Sequence, residues 1–97
     1  MSDVTVTDSP ERHRFEARSG GELAGTAAYR RSGGVVVFTH TETADGYEGQ
    51  GVGSALVRGA LDEVRRQGRR VVPRCPFVKS YIDRHPEYAD LLDPGPA

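Results

Sequence analysis

Three glycines within five residues, Gly49-Gln50-Gly51-Val52-Gly53, stand where the hydrophobic pattern of the chain changes period, and this junction constrains the fold more than any other stretch. Before it, apolar residues alternate with polar ones, as in half-buried strands. After it, Leu56, Val57, Ala60, Leu61 and Val64 fall on one face of a helix. The first-turn N–H groups of such a helix have no intrahelical partner and carry the positive end of its dipole, and a glycine lets an anion reach them without a Cβ in the way. The junction therefore predicts a strand, an anion-binding loop and a helix. The alternative is that the glycines only make a tight strand-to-helix turn, for which one glycine usually suffices. Two phosphate-binding patterns fail here. No Lys followed by Ser or Thr closes the loop as a Walker A sequence requires, and the spacing and the antiparallel strands before it exclude the dinucleotide fingerprint.

The rest of the chain reads outward from this junction. Residues 1–11 hold Ser, Asp, Thr and Pro10 without a sustained period and are expected to be a disordered lead-in. Strands are predicted at 12–18, 23–30 and 35–42, joined by Ser19-Gly20-Gly21-Glu22 and Arg31-Ser32-Gly33-Gly34, whose glycines accept the positive φ that hairpin turns need. The helix is predicted over 52–67, ended by Gly68 with Arg65 and Arg66 in its last turn. A short fourth strand over 69–74 precedes a helix opened by Pro76 and broken by Pro86, a last turn over 87–92, and a disordered tail over 93–97. The expectation is an α/β (α+β) domain over 12–92. It has a mostly antiparallel sheet of about four strands, one long helix and short C-terminal helices.

Composition narrows the function classes. A chain of 97 residues is one domain, since such units usually run to about 100–150 residues. Thirteen basic and fourteen acidic residues leave a net charge of −1, and no aromatic residues interleave with the arginines at 65, 66, 69, 70 and 74, so nucleic acid is not the expected partner. Apolar runs such as Val35-Val36-Val37-Phe38 are far shorter than the roughly 20 residues of a membrane span, and Met1-Ser2-Asp3 opens no signal segment. The chain is expected to be cytoplasmic, with no membrane association. A single cysteine, Cys75, allows no internal disulfide, and neither His40 nor His85 has a second ligand at metal spacing, so no metal is expected.

The run Glu48-Gly49-Gln50-Gly51-Val52-Gly53, continued by Ser54-Ala55-Leu56-Val57, resembles the acetyl-coenzyme A motif of the GNAT acetyltransferase superfamily, Gln/Arg-x-x-Gly-x-Gly/Ala. His40-Thr41-Glu42 before it, and Pro73-Arg74-Cys75-Pro76-Phe77-Val78 through Tyr81-Ile82 to His85-Pro86-Glu87-Tyr88 after it, resemble the small single-domain GNAT-like proteins of the YjdJ type. The resemblance implies acetyl-coenzyme A as cofactor. Its pyrophosphate would lie on the loop Gly49, Gln50, Gly51, Val52, Gly53 and Ser54, and its pantetheine arm along Phe38, Thr39, His40, Thr41 and Glu42. Glu48 takes the Gln/Arg position; a carboxylate there either turns outward or lowers cofactor affinity. One or two of the arginines, or Lys79, would meet the 3′-phosphate.

Three side chains are candidates for the chemistry of acetyl transfer, which needs a neutral amine, a polarised thioester carbonyl and a proton for the departing thiolate. The resemblance gives Glu42 the role of deprotonating the amine through water, and Tyr81 that of protonating the thiolate. Read from the residues alone, Glu42 is equally a solvated loop carboxylate and Tyr81 a packed core tyrosine. Cys75, between Arg74 and Pro76 at a helix start, is either a small buried residue or a thiolate able to carry the acetyl group. The expected function is N-acetyl transfer to a small amine or to a protein lysine or N-terminus by direct attack. The alternative is a module that binds coenzyme A or its acetyl ester without efficient turnover. Larger family members have extra helices that wall the acceptor side; this length leaves no room for them, and a homodimer could close that side.

Overall fold

The computed structural model describes residues 4–94, which form strands β1 (Val4–Ser9), β2 (Arg14–Ser19), β3 (Glu22–Ser32), β4 (Val35–Thr43) and β5 (Arg70–Pro73) and helices α1 (Val52–Arg66) and α2 (Pro76–Arg84). Short 3-10 turns cover Pro10–Arg12 and Pro86–Leu91. The strands make one sheet in sequential order. Neighbours are antiparallel except β4 and β5, which run parallel because α1 carries the chain back between them.

The sheet has five strands, one more than the pattern predicts, and the additional one falls in the expected disordered lead-in. Val4 to Ser9 pairs with β2 in the register Val4↔Ser19 to Ser9↔Arg14. Its alternation Val4-Thr5-Val6-Thr7 is a period-two signal that Asp8, Ser9 and Pro10 cut short. The Asp8 carboxylate is held by the Tyr29 hydroxyl and by Arg31 at 3.0 Å, a partner pair that only the folded sheet supplies. Residues 1–3 lie outside the described residues. The expected tail also begins later than 93: Leu92 bridges Val71, and the Asp93 N–H donates to the Val71 carbonyl at 2.9 Å. Residues 95–97 lie outside the described residues.

One face of the sheet carries the core. Phe15, Tyr29 and Phe38 from the three central strands meet ring to ring, at centroid distances of 5.2 to 6.3 Å. The α1 stripe Leu56, Ala60, Leu61 and Val64 closes over this face together with Val78, Tyr81 and Ile82 of α2. On the opposite face Glu16 is buried beneath arginines rather than beneath a helix. Its carboxylate accepts from Arg14 at 2.9 Å, Arg18 at 3.1 Å and Arg12 at 3.4 Å. The Arg14 guanidinium, seconded by Arg18, holds the Glu16 carboxyl below the usual carboxylate range against the opposing effect of burial.

Candidate functional site

α1 starts without a side-chain cap. Its N-cap is Gly51 at φ 76°, a left-handed conformation that a side chain would strain. The first turn of the helix holds no acidic residue. The first intrahelical bond runs from the Ala55 N–H to the Gly51 carbonyl at 3.0 Å, which leaves the N–H groups of Val52, Gly53 and Ser54 without helical partners. The Gln50 N–H points back to the Tyr47 carbonyl at 3.4 Å. Glu48 turns into the loop, accepting from the Gly46 N–H at 3.0 Å, while the Gln50 side-chain amide donates to the Gly46 carbonyl at 2.9 Å. The carboxylate at the departure from the motif is thus engaged within its own loop. Tyr47 anchors that loop to the β2–β3 hairpin through Glu22 at 2.9 Å.

Beside the loop, β4 and β5 part like a fork. Their pairing ends at Phe38↔Pro73, where the Phe38 carbonyl accepts from both Arg74 and Cys75 N–H groups at 3.0 Å. In the β3–β4 ladder Thr39 is skipped, since Tyr29 faces Phe38 and Ala28 faces His40. Such a bulge bends a strand and ends regular pairing. Phe38 itself is core, with its ring buried and its carbonyl occupied, so the residues of β4 past the end of the parallel pairing are Thr39 to Thr43. Across the gap Thr41 Oγ1 and Cys75 Sγ lie 3.3 Å apart. Phe77, in the first turn of α2, presses on the start of α1; a Cβ on Gly53 would lie 2.9 Å from its ring. The third glycine of the loop is therefore needed for this close approach, which brings the two helix starts and the fork to one corner.

The candidate catalytic side chains lie apart: Cys75 at the fork, Tyr81 in the groove along α1, and Glu42 on the other face of the sheet. Glu42 lies on the helix-free face of the sheet, 67% exposed, hydrogen-bonded to His40 Nε2 at 2.9 Å. Cys75, the N-cap residue of α2, is buried. Tyr81 is also buried, stacked on His85 at 4.0 Å between ring centroids, and burial pushes its phenol up from the ordinary value. Its hydroxyl is thus protonated at neutral pH, and it makes no hydrogen bond with the described residues. A groove of about 910 Å³ runs along α1 from Ser54 past Arg58 to Arg66, with Tyr81 and His85 on one flank and Val4 and Val6 on the other. A second cavity, of about 140 Å³, lies at Glu42 beside Arg14, Thr26 and Thr43.

Most of the basic concentration near the end of α1 is structural. Arg65 grips Asp90 through two bonds of 2.8 and 2.9 Å and the Glu87 carbonyl at 2.8 Å, and Arg69 donates to the Gly33 carbonyl. Arg58, one turn after Ser54, was given no role by the sequence. Its guanidinium makes no hydrogen bond or ion pair with the described residues, and its place on the outer face at i+4 from Ser54 was the available signal. Among the described residues no three His, Cys, Asp or Glu side chains are grouped to hold a metal, and no helix is long and apolar enough to cross a membrane.

The sequence model of the GCN5-related N-acetyl-transferase family matches residues 14–91, from the start of β2 to the end of the last 3-10 turn. The chain belongs to the GCN5-related N-acetyltransferase family. Both parts of the corner, loop and fork, fall within the match, whereas β1 falls outside it. Protein NATD1 of Mus musculus is 31% identical over 62 residues, covering 62% of this chain and 56% of the relative. The matched stretch therefore spans little more than half the length of that relative. Protein NATD1 of Xenopus tropicalis is 26% identical over 97 residues, covering 96% of this chain and 89% of its own. Two solved structures share the GNAT fold. A GCN5-like protein from Staphylococcus aureus has a TM-score of 0.69 at 21% identity, covering 96% of this chain and 91% of its own. The ribosomal-protein-S18-alanine N-acetyltransferase from Escherichia coli has a TM-score of 0.65 at 13% identity, covering 88% and 76%.

Proposed function

We propose that the protein transfers an acetyl group from acetyl-coenzyme A to a primary amine by direct attack. The single observation that carries this is the corner itself: an uncapped helix start without acidic residues, reached over glycines, beside a fork in which β4 loses its parallel neighbour after Phe38. The loop fits the group. The N–H groups of Val52, Gly53 and Ser54 would hold the pyrophosphate, with Gly49, Gly51 and Gln50 shaping the approach, and Arg58, one turn along α1, would meet the 3′-phosphate. The free edge of Thr39, His40 and Thr41 would pair with the amides of the pantetheine arm, as a strand pairs with an added strand. The bound cofactor supplies an acetyl group activated as a thioester.

The chain's own residues then handle protons. Glu42, with His40 at 2.9 Å, takes the proton from the incoming ammonium through water, so that the amine can attack with its lone pair. As the carbon–nitrogen bond forms and the carbon–sulfur bond breaks, the sulfur leaves with the electron pair and takes a proton from the Tyr81 hydroxyl, which burial keeps protonated, and the second proton of the attacking nitrogen passes through water to the Tyr81 oxygen and restores the phenol. A route through Cys75 would require its sulfur to lose its proton to water and accept the acetyl group first, with the Thr41 hydroxyl at 3.3 Å orienting the sulfur by a hydrogen bond.

Acetyl-coenzyme A should bind in calorimetric titration, and thiol should be released when an amine is added. Tyr81→Phe should slow turnover while leaving the affinity for acetyl-coenzyme A near that of the parent. Equal turnover in the two proteins would remove Tyr81 from the reaction, and binding without thiol release from any amine would favour the non-catalytic module. Cys75→Ser retains activity under direct attack; its inactivity, with an acetyl-sized mass increase on the parent chain, would replace direct attack by a covalent route.

A further inference from the structure

We infer that the cavity at Glu42 is an acceptor groove for a small amine that also carries a carboxylate, such as an amino acid, with the ammonium placed at Glu42 and the carboxylate at Arg14. The inference rests on the acetyl-transfer reading and adds the substrate class to it.

Its basis is the register of the helix-free face. Two rows of residues cross the central strands there: Arg14, Ala28 and His40 in one, Glu16, Thr26 and Glu42 in the next. The middle positions of both rows, on β3, are short side chains. The outer positions on β2 and β4 carry longer polar side chains, so Thr26 forms the floor of a trough, with Leu23, Gly25 and Ala44 beside it, between Glu42 and an Arg14 that is paired with Glu16. One wall is the Glu42 carboxylate with His40; the other is the Arg14 guanidinium. The strands bearing the walls are two spacings apart, about 10 Å between backbones. Arg14, Thr26 and Glu42 all line the cavity of about 140 Å³ at this place. That volume is about five times a water molecule's share of the liquid, enough for a few carbon atoms between two charged ends.

The charge on the Arg14 wall is not neutralised. Glu16 is one carboxylate shared by Arg12, Arg14 and Arg18. Arg14 gives Glu16 its Nε and one Nη, and the other Nη makes no hydrogen bond with the described residues. An anion drawn to that corner meets a guanidinium already oriented by a buried carboxylate, the preorganised geometry in which such pairs contribute most. A neutral amine would leave this wall facing water and gain nothing from it.

The test compares acids with amines of the same skeleton: γ-aminobutyrate against n-propylamine and β-alanine against ethylamine, together with a short peptide amide bearing a free N-terminus. The acid of each pair should exceed its neutral partner in kcat/KM by at least about tenfold. Arg14→Gln should bring that ratio close to one, chiefly through KM; Arg14→Lys should restore part of it; and Arg30→Gln, on the same face but opposite Val37, should leave the ratio as it was. A parent ratio near one, a ratio indifferent to Arg14→Gln, or a peptide amide that is the better acceptor would overturn the groove. If Arg14→Gln fails to fold for want of a partner to Glu16, Arg14→Lys, which keeps a cation for Glu16, carries the comparison and should lower the ratio without bringing it to one; an unchanged ratio overturns the groove. Two failures are distinguishable. If acetyl-coenzyme A binds and all amines react alike, acetyl transfer stands and the groove falls. If acetyl-coenzyme A does not bind, acetyl transfer falls, and direct titration with γ-aminobutyrate decides the groove: heat that Arg14→Gln abolishes supports it, and no heat overturns it.

Discussion

Gly59 lies where α1 crosses β1, and a Cβ built on it would come within 2.7 Å of the Val6 Cβ. The sequence offers no reason for a glycine in mid-helix; the reason is a strand more than fifty positions away. Gly59→Ala gains about 1 kcal/mol of helix propensity but forces backbone or Val6 to move, at about 1–3 kcal/mol, so the variant should be less stable by about 1 kcal/mol. Val6→Gly, which removes the Cβ that the new methyl meets, should make Gly59→Ala cost less than it does in the parent, a coupling that denaturant titration of the four proteins of the cycle would measure. Glu16 is the second residue that the sequence presents one way and the fold another. It looks like one more polar position of an alternating strand, yet it is the buried anion that gathers three arginines. Its carboxyl is held low in the folded state, so it stabilises the protein above its unfolded value, near pH 4, and this contribution is lost as pH falls through the folded value. Glu16→Gln should therefore cost about 2 kcal/mol at neutral pH. The gap to the parent should start to narrow as pH falls below about 4 and close once pH has passed through the lowered folded value; a gap that does not narrow over that fall would mean that hydrogen-bond geometry, not charge, carries the effect.

At the scale of elements, the glycine loop and α1 behave as the change of hydrophobic period indicates, because helix starts and turns depend on residues that are close in sequence. Gly51→Ala should add about 1–2 kcal/mol of left-handed strain to the geometry that presents the helix N–H groups. If the free loop relaxes and must re-form when the pyrophosphate binds, affinity for acetyl-coenzyme A falls by roughly five- to thirtyfold. Calorimetry would show it, and an unchanged affinity would mean either that the strained loop is the same free and bound or that it does not hold the pyrophosphate. Loss of stability in Gly51→Ala by denaturant titration without loss of affinity would assign it to the first. The C-terminal 3-10 turn is secured differently. Tyr88 donates to Asp62 at 2.7 Å, and burial together with that carboxylate pushes its phenol up to about 12. Absorbance titration of the tyrosines should show one that ionises only near that pH, and this late component should vanish in Tyr88→Phe. The arginine run before Gly68, which reads as a cationic face, contributes Arg65 to the same docking through Asp90 and the Glu87 carbonyl.

Over the whole molecule, β1 decides what the sheet and the cavity become. It completes a five-stranded sheet in chain order and supplies Val4 and Val6 to the groove along α1. Removing residues 1–9 should unpair β2, strip Tyr29 of Asp8 and abolish a single cooperative thermal transition followed by circular dichroism; retention of that transition would show β1 to be an accessory strand. The sequence by itself determined the three hairpin-linked central strands, the loop and its helix, the Pro76 helix and the family. Each of these rests on local rules: side-chain alternation, turn glycines, capping and a contiguous motif. The tertiary structure decided the rest. It made a strand of 4–9 by giving Asp8 a partner and Val6 a helix to cover it. It turned Glu48 into its own loop, assigned Gly53 and Gly59 to close approaches, and carried Arg14 and Glu42 to opposite sides of one trough. These are pairings between residues far apart in sequence. Only the register of neighbouring strands and the packing of helices on them fix which such residues meet, and no local pattern encodes that.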